Sequence, residues 1–456
     1  MYLPEQVKKI IDTLNAAGHE AYAVGGCVRD GLLGRAPGDY DVASSALPEE
    51  TKAVFAGEKL IETGLRHGTV TVLSGGIPVE VTTFRIDGEY ADCRHPDSVT
   101  FTRSLRDDLA RRDFTVNAMA YSPEGGIIDL FGGRNDLDAG LIRCVGDADA
   151  RFKEDALRII RALRFASVLG FQLEEKTARA ARDNKELLKS VSAERLFAEL
   201  LRLLCGQNVR AVLCGYIDVI GAVIPEALPM KGFLQRNPHH IYDVLEHTAA
   251  AVEAVSPEPE LRLAALLHDI GKPRCLTVDD AGTGHFYGHA EISAEIAEDI
   301  LSRLKSDGAT RKNVVRLVRE HGVQIEENER AVKRALNRLG EETFFRLLQL
   351  KRADNAAQSP ENAGRRVYYD GLERLARQII EKKQCFSLKN LAVNGDDLIA
   401  LGIRPGPELG VRLNALLEAV ISGKAENSRE ALLCLADSDA VRLGKSGDGG
   451  YRNGNG

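Results

Sequence analysis

The sequence predicts an α+β protein, with a small mixed sheet in roughly the first third of the chain and helices in the remainder. Three observations predict it. Apolar residues alternate with period 2 at Ala21–Val24 and on both sides of the SGGIP stretch at 74–78, the pattern of strands buried on one face. From about residue 147 the apolar period becomes helical and stays so. At 456 residues the chain is too long for one core of ordinary size, so several domains or helical modules are expected.

Composition narrows the class. A hydrophobic share of 44% is that of a folded protein. No apolar run is long enough to span a bilayer, and the start, MYLPEQVKKI, lacks the shape of a signal peptide. A cytoplasmic protein with no membrane partner is expected. Eight cysteines, at 27, 93, 144, 205, 214, 275, 385 and 434, form no CxxC pair, which argues against a zinc knuckle or a disulfide framework and predicts buried, reduced thiols. Net charge is −7, from 60 basic and 67 acidic residues, so bulk charge gives no hint of nucleic acid. Basic residues nevertheless crowd between Arg103 and Arg164, the density of a positive channel or of a solvated face.

In chain order, residues 4–17 space Val7, Ile10, Ile11 and Leu14 on one helical face. The strand Ala21–Val24 empties into Gly25-Gly26, where a backbone without side chains can approach a phosphate. A short helix follows, with Arg29 and Asp30 in its first turn, a buried side at Leu32-Leu33 and Gly34 at its end. Next comes Asp39-Tyr40-Asp41. On a strand, Asp39 and Asp41 share one face, the pair of oxygen ligands that Mg²⁺ takes alongside substrate phosphates. A Pro and acidic residues in LPEETKAVF mark a helix start, and HGTVTVLSGGIPVEVTTF reads as a hairpin with Glu80 in its second arm. By itself Glu80 is an ordinary strand residue. The polar, turn-rich stretch 85–110 reads as a mobile connection ahead of a short helix.

Gly-Gly after a strand and D-x-D are each ordinary alone. In this order and spacing, GGCVRDGLLGRAPGDYD resembles the signature of the class II tRNA nucleotidyltransferase and bacterial poly(A) polymerase family, within the DNA polymerase beta-like superfamily. RRDFTVNA, Arg111 to Ala118, is similar to that family's second motif. Arg111 and Arg112 offer forked donors to a triphosphate, and Asp113 and Asn117 can hold arginines and sugar in place. The next stretch, AMAYSPEGGIIDLFGGRNDLDAGLIR, predicts a short strand pair and a helix and resembles a hinge motif with Asp129 and Asp136. Within RFKEDALRIIRALRF, Asp155 and Arg158 stand at i, i+3, an intrahelical ion pair in its ordinary meaning. A carboxylate beside a guanidinium also suits one class of bases. It accepts from the exocyclic amine of cytosine or adenine while the guanidinium donates to the neighbouring ring nitrogen, and guanine and uracil set a carbonyl against the carboxylate. EDALR matches the family's base-selecting motif, and the resemblance adds Arg161 and Arg164 to the nucleotide-binding set. SAERLFAELLRLL resembles the neck-to-body helix, with Arg195 and Glu199 at its positions.

Further on, HHIYDVLEH, LLHDIGKP and LKRADNAAQ resemble an HD-domain metal phosphohydrolase, with His247, His268, Asp269 and Asp354 as metal candidates. His285, His289 and His321 are open to a second metal or to packing, and packing is expected of His285. After a charged helical bridge at 355–390, GIRPGPELG reads as a turn between helices and resembles a module that contacts the tRNA elbow.

The resemblance implies a polymerase beta-like head at 1–146, a helical neck at 147–230, an HD domain at 231–365, a tRNA-contacting helical module at 366–443 and a disordered tail at 444–456. It implies addition of CCA to the tRNA 3′ end from CTP and ATP, by a monomer or homodimer. Asp39 and Asp41 would hold two Mg²⁺, with Glu80 a candidate for the third carboxylate that often joins such a pair in the superfamily and equally an ordinary strand residue, and Gly25, Gly26, Arg29, Arg111 and Arg112 would cradle the triphosphate. A divalent transition metal is the expectation for the HD set. Poly(A) or A-only addition, and an HD phosphohydrolase acting on RNA ends, are the alternatives.

Overall fold

The computed structural model describes residues 2–62, 64–65, 68–88, 99–237, 241–358 and 364–437. Helix α1 (Glu5–Ala16) buries Val7, Ile10, Ile11 and Leu14, the face that the spacing predicts. Four such side chains contribute roughly 1.5–3 kcal/mol each on leaving water, and they hold α1 against the sheet. That sheet is built from β1 (Ala21–Val24), β2 (Asp41–Ser44), β3 (Lys59–Ile61), β4 (Thr69–Ser74) and β5 (Ile77–Thr83), with α2 (Gly26–Leu32) and α3 (Pro48–Val54) between strands. Next come β6 (Arg85–Asp87), β7 (Val99–Phe101), α4 (Leu105–Ala110), β8 (Met119–Ser122), β9 (Gly126–Asp129) and α5 (Gly133–Ala139). Seven strands join in the order β3-β4-β5-β2-β1-β8-β9. Only β2 and β5 run parallel within it; the other neighbours are antiparallel. Val42, Val72, Val79 and Val81 fill one face with α1, while Val24, Ala43, Phe84 and Ala120 fill the other with Leu109 of α4.

Two expectations change here. Asp39 lies ahead of β2 rather than in it, because the register ends at Val24↔Asp41, where β1 turns away into Gly25 and leaves nothing for residue 39 to pair with. The flanks of the 85–110 connection are ordered, since β6 and β7 form their own antiparallel ladder; residues 89–98 between them lie outside the described residues.

The remainder is helical apart from two small ladders. It runs through β10 (Leu141–Ile142), α6 (Ala148–Glu154), α7 (Leu157–Leu169), β11 (Gln172–Leu173), α8 (Glu175–Asp183), α9 (Ala193–Leu204), α10 (Val209–Gly215) and α11 (Ile217–Ile220). β10 and β11 pair in parallel. Then follow α12 (Val244–Ala254), α13 (Pro259–Leu267), the antiparallel pair β12 (Thr277–Val278) and β13 (Gly284–His285), α14 (His289–Arg303), α15 (Gly308–Glu320), α16 (Glu329–Leu339), α17 (Glu341–Ala356) and α18 (Arg365–Glu381). The chain closes with α19 (Gly395–Ala400), α20 (Pro407–Ile421) and α21 (Arg429–Asp437). The predicted turn GIRPGPELG joins α19 to α20. The stretch 444–456 lies outside the described residues.

Helix α7 is buried almost all round, from Leu157 to Leu169, so it is the axis on which the rest packs. One apolar core runs without interruption from Phe114 in the sheet-bearing part, through α7 and α9, to Phe344 in α17 and Ile379 in α18. The last three helices have a separate small core around Val393, Leu398, Leu416 and Leu432. Among the described residues no helix is long and apolar enough to cross a membrane. Seven described cysteines are free; Cys27, Cys144 and Cys385 are buried as expected, whereas Cys205, Cys214 and Cys275 are only partly buried and Cys434 is exposed on the last helix.

Candidate active site

The first cluster forms where β1 ends. Gly25 has φ 75° and caps α2, a conformation that strains an L side chain. A Cβ added there would meet Arg112 Nη1 at 2.9 Å, so the glycine is required both for the turn and for the guanidinium lying against it. Arg112 and Arg111 share Asp108, which accepts from Arg111 Nη2 at 2.7 Å and from Arg112 Nη2 at 3.3 Å. Burial alone would push the Asp108 carboxyl up; Arg112 and then Arg111 outweigh it and hold it below the ordinary range.

Arg112 also faces the carboxylates. In the register of the parallel pair, Asp41 stands opposite Glu80, which puts both on one face. Burial, then Asp39, then Glu80 raise the Asp41 carboxyl to about 6, against the pull of Arg112. Three neighbouring carboxylates, beside a guanidinium resting on a glycine turn, put an anionic pocket next to a cationic one.

A network of side chains backs this cleft. Arg29 donates to both oxygens of Asp30 and, from Nη1, to Asn117 Oδ1 at 2.6 Å. Asn117 Nδ2 donates to Asp113 Oδ1 at 3.1 Å, and Arg161 donates to Asp113 Oδ2 at 3.0 and 2.6 Å. Burial would raise Asp113, but Arg161 overcomes it and holds the carboxyl at about 2. Three guanidiniums gather on the ring of Phe165, at 5.2 Å for Arg29, 5.5 Å for Arg161 and 3.9 Å for Arg164. Arg164 sits 2.8 Å from Glu199. Burial lowers Arg164 to about 10 despite that partner.

The structure does not pair Asp155 with Arg158. Asp155 closes α6 in an extended conformation, accepts from Leu157 N at 3.1 Å and contacts Arg195 at 3.4 Å. The buried Arg158 donates to Glu154 Oε2 at 2.6 Å and to the Arg111 carbonyl at 3.0 Å. The reason is local: the break at Asp155 separates α6 from α7 and leaves Glu154 facing Arg158. The dense run of basic residues is likewise largely matched by carboxylates, including Arg143 with Asp136 and Arg151 with Glu154, so it forms no bare positive channel.

Asp108 and Phe165 are missed by the motif reading, and Glu154 stands in EDALR without the role of holding Arg158. Asp108 and Glu154 stand three or four residues from the arginines they hold, a spacing that could have flagged them. Phe165 stands four residues after Arg161 and next to Arg164 on α7, but the third cation on its ring, Arg29, comes from across the fold and leaves no local signal.

A second cluster lies far along the chain. Among the described residues, the sets of three or more ligand groups within 4.8 Å of one another are His247, His268, Asp269 and Asp354, and Asp269, His289 and His321. His247 Nε2 is 3.3 Å from Asp269 Oδ2 and 3.0 Å from Asp354 Oδ1; His268 Nε2 is 3.2 Å from Asp269 Oδ2. Helices α12, α13 and α17 thus bring the four predicted residues together. Burial pushes His268 down, but Asp269 and Asp354 reverse it and hold the imidazole at about 10. His285 stands apart from both sets, bound to Asp279 at 2.8 Å and packed flat on the ring of Tyr287.

Residues 21–143 match the family described as the Poly A polymerase head domain, residues 170–216 the RNA and SrmB-binding site of polymerase A, and residues 285–436 the tRNA nucleotidyltransferase domain 2. The chain is similar to the CCA-adding enzyme of Lactobacillus helveticus, 38% identical over 427 residues that cover 93% of this chain and 94% of that one. Over 202 residues, 44% of this chain and 50% of the other, it is 55% identical to the CCA-adding enzyme of Geobacillus thermodenitrificans. Its structure is similar to that of the Bacillus stearothermophilus CCA-adding enzyme in complex with CTP, with a TM-score of 0.73, 32% identity, and coverage of 96% of this chain and 97% of that one. The Thermotoga maritima CCA-adding enzyme complexed with tRNA has the same fold, at a TM-score of 0.58 and 20% identity, covering 94% of this chain and 93% of that one.

Proposed function

The chain belongs to the CCA-adding enzyme family of tRNA nucleotidyltransferases, and from that premise we propose that it adds CMP, CMP and AMP, drawn from CTP and ATP, to the 3′ end of tRNA without a template. The observation that carries the assignment of the site is Asp41, raised to about 6 among Asp39 and Glu80 beside Arg112, because crowded carboxylates next to a phosphate-sized cationic turn fit a divalent cation and a triphosphate together. Asp39 and Asp41 would hold two Mg²⁺, with Glu80 at the edge; the ions supply charge neutralisation for the departing pyrophosphate and acidify the RNA hydroxyl. In the transfer, the 3′-hydroxyl oxygen bonds to the α-phosphorus, the bond from that phosphorus to the bridging β oxygen breaks, pyrophosphate leaves and the hydroxyl proton passes to solvent.

Gly25 and Gly26 let the backbone approach the triphosphate, and Arg112 and Arg111 donate to it from a fixed seat on Asp108. Arg29, Asp113, Asn117, Arg161 and Arg164 keep the cleft shaped and positive. Asp155 and Arg158 read the base. An incoming cytosine or adenine offers an amine to Asp155 and a ring nitrogen to Arg158, exchanging for Arg195 and Glu154, the partners they have in the structure. Guanine and uracil meet Asp155 with a carbonyl and leave a partly buried charge without a donor. In this reading residues 1–146 are the head, 147–230 the neck, 231–365 the body and 366–443 a module for the tRNA elbow, which is recognised by shape and backbone. The enzyme acts in the cytoplasm.

The test is product length. With Mg²⁺ and tRNA ending before CCA, CTP alone should add two residues and CTP with ATP three; a long tail from ATP alone would make the protein a poly(A) polymerase. Asp39→Ala with Asp41→Ala should abolish transfer with helical content unchanged, and surviving activity would sink the metal assignment.

A second activity is favoured by the convergence of His247, His268, Asp269 and Asp354 within 4.8 Å: a divalent transition metal held there would make the body an HD-type phosphohydrolase for RNA ends. His268→Ala should remove phosphatase activity and spare nucleotide addition.

A further inference from the structure

A cavity of about 660 Å³ opens on the body between the end of α12, the outer side of α17 and the start of α18. It is separate from both clusters described above: no head residue lines it, and neither does His247, His268, Asp269 or Asp354. Nucleotidyl transfer makes no use of it. Its volume lies within the range of about 300–1,000 Å³ typical of small-molecule sites.

We propose that this cavity binds a free nucleoside monophosphate, with the phosphate on Arg366 and the base over a floor of Val255 and Ala353. The proposal depends neither on the nucleotidyl-transfer reading nor on a metal in the body. The charges of the walls give the first argument. Arg352 Nη1 is 2.6 Å from Glu373 Oε2, and its Nη2 donates to Asp370 Oδ1 at 2.8 Å and to the Tyr369 carbonyl at 3.3 Å. Glu373 also accepts from Arg377 Nε at 2.8 Å. Burial would raise the Glu373 carboxyl, but Arg377 and Arg352 together hold it below the ordinary range. Both carboxylates of the wall are therefore already matched by guanidiniums. Arg366, in the first turn of α18, has no hydrogen bond or ion pair among the described residues. The one unmatched charge in the lining is positive, and it calls for an anion.

The open polar groups point the same way. Arg352 Nε is buried and has no acceptor among the described residues, a state that a ligand atom relieves. Gln349 Oε1 accepts from Ser256 Oγ at 2.7 Å, which leaves the Gln349 amide hydrogens to donate into the cavity. A ligand there must bring acceptors at more than one place. Phosphate oxygens answer Arg366, and the ring nitrogens and carbonyls of a base answer Gln349 and Arg352 Nε. Asp370 is 57% exposed at the side chain and keeps Oδ2 for a ribose hydroxyl. Val255 and Ala353 are buried and small, so the floor between these groups suits a flat ring rather than a bulky one.

The experiment is equilibrium dialysis of the full chain against AMP with EDTA present, so that no divalent cation supports binding in the head. AMP should bind at one molecule per chain. Arg366→Glu should weaken it about tenfold or more, and Ala356→Trp, which sets a large ring on the exposed rim of the cavity, should abolish it. Adenosine should bind about tenfold or more weaker than AMP and be indifferent to Arg366→Glu. Light-activated 8-azidoadenosine monophosphate should label α17 or α18. Both substitutions lie outside the transfer cleft, so unchanged circular dichroism and unchanged CCA addition report that the variants fold. Absence of AMP binding, binding that neither substitution alters, or label confined to the head would overturn the site. Inorganic phosphate binding as tightly as AMP would overturn the nucleoside.

Discussion

Asp41→Asn offers a quantitative test of the electrostatics of the cleft. In the folded chain the Asp41 carboxyl rises from 3.8 to about 6, a shift of about two units, and one unit corresponds to about 1.4 kcal/mol. Because the shift is upward, the neutral carboxyl is the one the fold favours: its contribution is fully present below the unfolded value and is lost as pH rises through about 6. The loss amounts to at most about 3 kcal/mol. Asparagine keeps the size and cannot ionise, so the variant escapes it. The assay is amide hydrogen exchange in β1, β2 and β5 with chelator present, which reads local opening free energies. Between about pH 4 and about pH 7, protection in the variant should climb relative to the wild type by up to about a hundredfold. Adding Mg²⁺ should return protection to the wild type and leave the variant unchanged, because the cation binds only the ionised site. A gap that stays constant with pH, or that widens toward acid, would refute the crowding of Asp41 by Asp39 and Glu80.

Three further outcomes follow from the geometry. Gly25→Ala places a Cβ 2.9 Å from Arg112 Nη1 at a φ of 75°; with about 1–2 kcal/mol of backbone strain, kcat/KM should fall about tenfold or more for CTP and ATP alike, and a loss confined to one nucleotide would show that the contact is with the base. Arg158→Lys keeps the charge and loses the fork that meets Glu154 and the Arg111 carbonyl. Discrimination against UTP and GTP should fall by about ten- to a hundredfold in misincorporation assays, matching about 1–3 kcal/mol per base-reading pair. Phe165→Leu removes the ring under Arg29, Arg161 and Arg164; at about 0.5–2 kcal/mol per such contact, the KM for both nucleotides should rise several-fold while Mg²⁺ dependence is unchanged.

What was legible in the sequence was whatever depends on near neighbours. The apolar stripe of α1, the alternation of β4 and β5 and the glycine at the turn after β1 are each set by the local period or backbone conformation, whatever they later pack against. The HD set was legible because helix ends carry their ligands in recognisable short motifs. Distances across the fold were not. Asp155 and Arg158 suggest a pair by spacing, yet a break in the helix at Asp155 hands Arg158 to Glu154. The D-x-D reads as a strand, but β1 ends before it can pair residue 39. Nothing in the order of residues announces that Asp113 joins Arg161 to Asn117, or that His289 and His321 meet on Asp269, because each junction is made by packing of segments far apart in the chain.

The apolar cores divide the chain unevenly. From Phe114 to Ile379 a single core locks the catalytic cleft to the helices beyond it, whereas the last three helices, with a small core of their own, meet α16 through exposed polar contacts, Arg334 with Glu418 and Arg330 with the Ser422 carbonyl. Contacts of that kind are worth about 0–1 kcal/mol each and fade with salt. Raising the ionic strength therefore weakens the polar contacts of α16 with the last helices before it touches either apolar core.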